Sequence, residues 1–186
     1  MFQNTIDEYL SEVKHICDVI NKDEICEVCV IIAAVKETNG RIFFLGVGGS
    51  AANASHAVND FRKILGIESY AVTDNVAELT ARINDDGWNT CYSDWLEISN
   101  LSENDALFVL SVGGGSQTTS RNLVEAIKLG RKVGSYVVAI VSRDGGYALD
   151  ESHQTILIPS IEGRITPHAE EWQSILLHLI VEAIRG

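Results

Sequence analysis

The sequence predicts an α/β fold, a parallel sheet covered by helices on both faces, and three observations carry that prediction. Short apolar runs alternate with amphipathic segments along the 186 residues. These runs are apolar almost throughout, as strands buried on both faces require. Two of them pass at once into a turn rich in glycine and serine that leads to a helix, the ligand-holding junction of such sheets.

Residues 3–20 and 22–38 read as amphipathic helices. Ile6, Leu10, Val13, Ile16 and Val19 recur at spacings of three and four, and Ile25, Val28, Ile31, Ile32 and Val35 do much the same. Asn39-Gly40 ends the second helix, and Arg41-Ile-Phe-Phe-Leu45 is the first strand. Gly46-Val-Gly-Gly-Ser50 follows, then a helix over 51–65. The alternation continues with a strand over 68–73, a short helix over 75–83, a turn at Asn84-Asp-Asp-Gly87 and a helix over 88–99. Ala106 to Ser111 is the next strand, followed by Val112-Gly-Gly-Gly-Ser116 and a helix through about 130. Tyr136–Val141 and Gln154–Pro159 complete five strands, and 167–184 is a long terminal helix. The two leading helices precede every strand and cannot both be crossovers, so they should pack outside the sheet or against another subunit. The length supports one core, and no repeat or linker divides it. The expectation is a single domain over 1–186 with a helical extension over 1–39.

Hydrophobic residues make up 46%, charged residues 22%, and there are two prolines, which excludes a disordered or low-complexity chain. Asp and Glu total 26 against 14 Lys and Arg, for a net charge of −12. Without a basic cluster to offset that charge, no nucleic-acid partner is expected. No apolar run reaches the ~18 residues of a membrane span, and Asp7, Glu8 and Glu12 argue against a signal peptide at the N-terminus. The Cys26-x-x-Cys29 pair falls within a helix, and with Cys17 and Cys91 it provides no second pair for a zinc site. These read as ordinary thiols of a reducing, cytoplasmic compartment.

Phosphate is the natural guest of the two junctions. Glycines let the backbone approach a ligand, the free amides of a first helical turn point at it, and serine hydroxyls add donors. The candidates are Gly48, Gly49, Ser50, Asn53, Ser111, Ser116 and Gln117, with Asp85 a candidate for sugar hydroxyls. Gly46-x-Gly48-x-x-Ala51 matches a loose dinucleotide fingerprint with Glu68 as its acid. The two preceding helices fit a Rossmann half poorly, and no Walker A ending exists, so no nucleotide cofactor is expected. His56 and Asp60 share a helix face four residues apart. On the terminal helix Glu171 and His178 share a face, and Glu170 lies about 80° round from His178. Such groups suit proton transfer near neutral pH, or supply two nitrogens and two oxygens to a divalent metal. The simpler readings stand beside these: His178 as a core or interface histidine, His56 paired only with Asp60, and Asn84-Asp85 as an Asx-turn. His168 begins the last helix near the mouth of the expected site, while His15 and His153 have no constellation around them.

Together these residues resemble the sugar isomerase (SIS) domain family, within it the phosphoheptose isomerase branch, over nearly the whole chain. Gly46-Val-Gly-Gly-Ser50 resembles its Gly-Asn-Gly-Gly-Ser loop, and Asn84-Asp85 its Asn-Asp loop. Ser111-Val-Gly-Gly-Gly-Ser116 resembles its Ser-Thr-Ser-Gly-Asn-Ser phosphate loop, and Ser142-Arg-Asp-Gly-Gly146 its Gly-Lys-Asp-Gly-Gly segment. The resemblance implies a three-layer αβα sandwich of flavodoxin type and conversion of sedoheptulose 7-phosphate into D-glycero-D-manno-heptose 7-phosphate. It also implies a homotetramer with active sites built across subunits, and the apolar stripes of the two leading helices, more than one sheet needs, separately point to a dimer or tetramer. Ser50, Ser111 and Ser116 then hold the phosphate. Asp60 falls at the catalytic glutamate and His178 at the catalytic histidine, and both join His56 and Glu170 as a zinc site. The chain departs from the family pattern at Asp60, one methylene short, at Glu170 in place of glutamine, and at Val47. Its phosphate loop loses hydroxyls at Val112 and Gly113 and an amide at Gly115. Against the isomerase stand a non-catalytic sugar-phosphate sensor or adaptor, and a nucleotide-dependent oxidoreductase.

Overall fold

A computed structural model describes residues 2–186, and its elements alternate as the sequence predicts. Helices α1 (Phe2–Val19) and α2 (Lys22–Glu37) come first. There follow β1 (Ile42–Leu45), α3 (Gly49–Lys63), β2 (Ser69–Ala71), α4 (Val76–Asp85), α5 (Cys91–Ile98), β3 (Ala106–Leu110), α6 (Arg121–Val133), β4 (Tyr136–Val141), α7 (Gly146–Glu151), β5 (Gln154–Leu157) and α8 (Ile165–Arg185). The strands form one parallel sheet in the order β2-β1-β3-β4-β5. β1, β3 and nearly all of β4 are fully buried, which is why they carry no polar alternation.

The sheet divides the core in two. Phe44, Phe108 and Ile140 pack with Ile16 of α1, Val28 and Ile32 of α2, Phe61 of α3 and Trp172 and Leu176 of α8. Phe43, Leu107 and Val109 face the other way, onto Tyr92 and Leu96 of α5 and Leu123 and Ile127 of α6. The leading helices therefore cover one face of the sheet together with α3 and α8. α1 buries only Ile16 completely, and polar groups supplement that small apolar contact. Glu12 takes Arg164 Nη1 at 2.6 Å and His168 Nε2 at 2.8 Å, and Tyr9 stacks on the His168 ring with centroids 4.5 Å apart. His168 is thus a buried tie between α1 and α8. Its hydrogen bond, with the help of Arg164, holds the Glu12 carboxyl below its ordinary range against the opposing effect of desolvation.

Two local expectations differ, and one helix was not expected at all. Asn84 and Asp85 form the last turn of α4 rather than a free turn, because that helix runs to Asp85 and Asp86 caps it. The segment after β3 stays irregular through Ser120, whose left-handed backbone (φ 50°) caps α6. Helix α7 is too short to show a period, and its start is set by Gly145 and Gly146, both at positive φ.

Candidate active site

In an open sheet of this order, ligands bind outside the carboxyl ends of the strands where the chain reverses direction, here between β1 and β3. A cavity of about 680 Å³ opens at that point, within the usual range for a small-molecule site. Ser50 of the first α3 turn and Ser111 and Ser116 of the loop after β3 all line it. That loop is held from inside: Ser111 Oγ accepts from Gly114 N at 3.0 Å, and Ser116 Oγ accepts from Thr119 N at 3.1 Å. It also interlocks with the loop after β4, since Tyr147 N donates to Gly115 O and Ala148 N to Gly114 O, each at 3.0 Å. On the opposite side, the buried Tyr92 hydroxyl donates to Gly46 O at 2.6 Å and fixes the turn after β1. Burial pushes the Tyr92 pKa well above its usual value, so it remains a donor.

A second group lies where α3 meets α8. The Nε2 atoms of His56 and His178 are 3.0 Å apart, and Asp60 Oδ2 stands 3.3 Å from the first and 3.4 Å from the second. The Asp60 side chain is only 13% exposed, whereas the histidine side chains are about half exposed, at 50% and 53%. Two imidazole nitrogens and a carboxylate oxygen converge on one point, an arrangement that a shared hydrogen or a divalent ion can bridge. The donor set of two nitrogens and one oxygen suits zinc, and all three ligand atoms lie within 4.8 Å of one another.

Glu170 does not join this cluster. Its carboxyl group lies over the first turn of α3, where a Cβ on Gly49 would come within 2.3–2.6 Å of it. The positive end of the α3 dipole favours an anion at that position. Asn53 ties the same two helices, donating to Glu170 O at 2.7 Å and to Gln173 Oε1 at 3.2 Å. Gly49, Asn53 and Glu170 therefore border a separate shallow groove. Gly48 caps α3 at φ 65° without lining the cavity. Gln117 faces a neighbouring depression with Arg121 and Lys128, and Asp85 is exposed, its carboxylate accepting from Asn84 Nδ2 at 2.7 Å.

The sequence reading misses four polar residues of the cavity: Thr119, Ser120, Arg143 and Asp144. The first two are hidden by a helix start placed too early. The other two sit inside Ser142–Gly146, where two adjacent glycines after a strand are the available signal. Tyr92 carries no sequence signal, because nothing separates it from an ordinary core aromatic until its hydroxyl finds a carbonyl.

The fold and site define an α/β protein with a ligand cavity at the sheet's switch point and a His–Asp–His cluster on a neighbouring helix face. A family model described as the SIS domain matches residues 8–142, and the chain belongs to that family. The phosphoheptose isomerase of Thermodesulfovibrio yellowstonii is 30% identical over 164 residues, covering 85% of this chain and 77% of that protein. That of Aliarcobacter butzleri is 29% identical over 186 residues, covering 96% and 94%. Among solved structures, a phosphoheptose isomerase from Neisseria gonorrhoeae superposes with a TM-score of 0.85 at 23% identity, covering 99% of this chain and 98% of its own.

Proposed function

We propose that this protein is a sugar-phosphate isomerase that converts sedoheptulose 7-phosphate into D-glycero-D-manno-heptose 7-phosphate. The meeting of His56, Asp60 and His178 carries the reading, because it assembles a base and a proton carrier from two separate helices, Asp60 and His178 lying 118 residues apart in the sequence. The names borne by relatives over most of the chain support the substrate.

The chemistry follows from the side chains. Ser50, Ser111, Ser116 and the loop amides hold the phosphate. The Asp60 carboxylate takes a proton from C1, next to the ketone, leaving a cis-enediol(ate), and the proton returns at C2. The His178 imidazole exchanges protons between the two oxygens and assists ring opening. His56 Nε2, His178 Nε2 and Asp60 Oδ2 are the groups that would hold a zinc ion, with Glu170 a further ligand after a side-chain rearrangement. Bound there, zinc would polarise the carbonyl and stabilise negative charge on the diol oxygens.

One chain does not bring the two parts of this site together. None of the triad residues lines the cavity. At 3.6 residues per turn, His56 and Asp60 lie about 120° and about 80° round α3 from Ser50. The triad is instead bordered by apolar side chains left open to solvent, Ile175 at 44% and Leu179 at 46% exposure. A homo-oligomer, taken to be a tetramer, would cover this face and place the triad of one subunit against the cavity of another. No described helix is long and apolar enough to cross a membrane, and the four free thiols accord with a cytoplasmic protein.

Zinc-loaded protein incubated with sedoheptulose 7-phosphate should yield the aldose, and Asp60→Asn and His178→Gln should each abolish that yield. Mixing the Ser50→Ala/Ser116→Ala double variant with His178→Gln should restore activity. A mixture no more active than its two parts would place the whole site within one chain. Turnover of none among a panel of pentose, hexose and heptose phosphates would overturn the isomerase.

A further inference from the structure

We propose that Arg143 determines the anion specificity of the cavity, its guanidinium taking a phosphate oxygen that serine hydroxyls would otherwise hold; this rests on the sugar-phosphate reading above. Among the described side chains of one chain that line the cavity, Arg143 is the one cation and Asp144 the one carboxylate. All other polar lining groups are neutral hydroxyls and backbone. Without Arg143 the only ionised group at the cavity would be an anion, in a chain of net charge −12. A phosphate carrying up to two negative charges would then meet repulsion and no compensating ion among the lining side chains.

The guanidinium is free for this task. Arg143 enters no ion pair among the described residues. It lies over the phosphate loop: a Cβ on Gly113 would be 3.6 Å from Arg143 Nη1 and 3.7 Å from Cδ. A side chain at 113 would meet the Arg143 side chain in van der Waals contact. The Val112-Gly113 stretch supplies no side-chain hydroxyl, and Arg143, which stands where the resembling segment has a lysine, sets a charged fork above it. Such a fork bonds phosphate oxygens in pairs, which neither a lysine nor a hydroxyl reproduces.

The backbone holds Arg143 in place. It adopts φ 55°, a conformation uncommon for a residue with a side chain. Its N–H donates to Ser160 Oγ at 3.0 Å, and Gly145 N closes the turn on Ser142 O at 2.9 Å. Ser142 Oγ in turn donates to Ile158 O at 3.0 Å. The side chain thus extends from a turn fixed to the end of β5. Asp144, next to it, faces the same cavity and suits a sugar hydroxyl as its donor.

Calorimetric titration with inorganic phosphate tests the assignment without requiring turnover. Arg143→Ala should bind phosphate about 10- to 100-fold more weakly, the loss expected for one charged hydrogen-bond partner. Arg143→Lys should retain part of the affinity, and adding Asp144→Asn to Arg143→Ala should recover part of it. In sedoheptulose 7-phosphate turnover, millimolar guanidinium should rescue Arg143→Ala more than equal sodium chloride does. Arg143→Ala and Arg143→Lys binding phosphate as tightly as the parent, with unchanged urea unfolding, would overturn the assignment. Arg143-dependent phosphate binding without isomerisation would leave it standing and remove the isomerase instead. A parent protein that binds no phosphate would remove both.

Discussion

Gly114 is where the two loops of the cavity touch backbone to backbone, and Gly114→Ala tests whether that contact shapes the site. At φ 67°, a Cβ there would fall 1.8 Å from Gly145 O and 2.6 Å from Gly145 C, both fixed main-chain atoms. The left-handed backbone costs a residue with a Cβ about 1–2 kcal/mol. Relieving the overlap requires the loops to part by roughly 1 Å, a separation at which the hydrogen bonds from Tyr147 N to Gly115 O and from Ala148 N to Gly114 O are lost. Each contributes about 1 kcal/mol net. The expected loss is therefore about 3–4 kcal/mol, or a fall of roughly 10 °C in Tm for a chain of this size. Because the loops carry Ser111, Ser116 and Arg143, a displacement of this size should also lower kcat/KM about 100-fold. Gly163→Ala is the matched control, since Gly163 has φ 80° but nothing within 4 Å of its Cβ position. Urea unfolding followed by circular dichroism separates the two. A Gly114→Ala protein within about 1 kcal/mol of Gly163→Ala would refute the interlocked-loop argument.

Arg41→Ala should cost about 3 kcal/mol, because it leaves the Asp105 carboxylate, 3% exposed, without its cation. Burial opposes the Asp105 charge, but Arg41 and the amide and hydroxyl of Ser102 outweigh it and hold the carboxyl below its usual range. That stabilisation is fully present above about pH 4, the unfolded value, and fades as pH falls through the lower folded value. A stability–pH curve for Asp105→Asn should accordingly show a shallower acid limb than the parent; an unchanged limb would count against the pair. Tyr92→Phe removes the only side-chain donor to Gly46 O among the described residues and should cost about 1–3 kcal/mol while raising KM for the phosphorylated sugar. His56→Ala should lower zinc affinity at least 10-fold with little change in melting temperature, since its side chain is half exposed. Competitive titration against a chromogenic chelator measures the first, and a thermal scan in excess chelator the second.

The fold was legible because buried parallel strands leave an unmistakable mark: Ile42–Leu45, Ala106–Leu110 and Tyr136–Val141 are apolar on both faces and end in turn residues. Helix α7 was not, because six residues carry too little period and its start depends on glycine backbone angles. In the site, His56 and Asp60 were readable as a pair from their spacing of four. Their approach to His178 was not, since only the packing of α3 on α8 sets it. Glu170 shows the opposite limit: its helical angle permits convergence with His178, yet the first turn of α3 offers its carboxylate a better electrostatic position. Arg143 lay in a segment plain to read, but a turn residue gains meaning only when another loop passes beneath it.

The central claim is an enediol isomerase acting through Asp60 and His178, and solvent isotope incorporation tests it most directly. Proton NMR in deuterated water should show one solvent deuteron at C2 of the aldose formed from sedoheptulose 7-phosphate by the protein supplied with zinc. That signal should vanish in Asp60→Asn and in His178→Gln. A folded, metal-loaded protein that binds the sugar phosphate yet exchanges no carbon-bound proton would contradict the account and leave a sugar-phosphate sensor on the same fold.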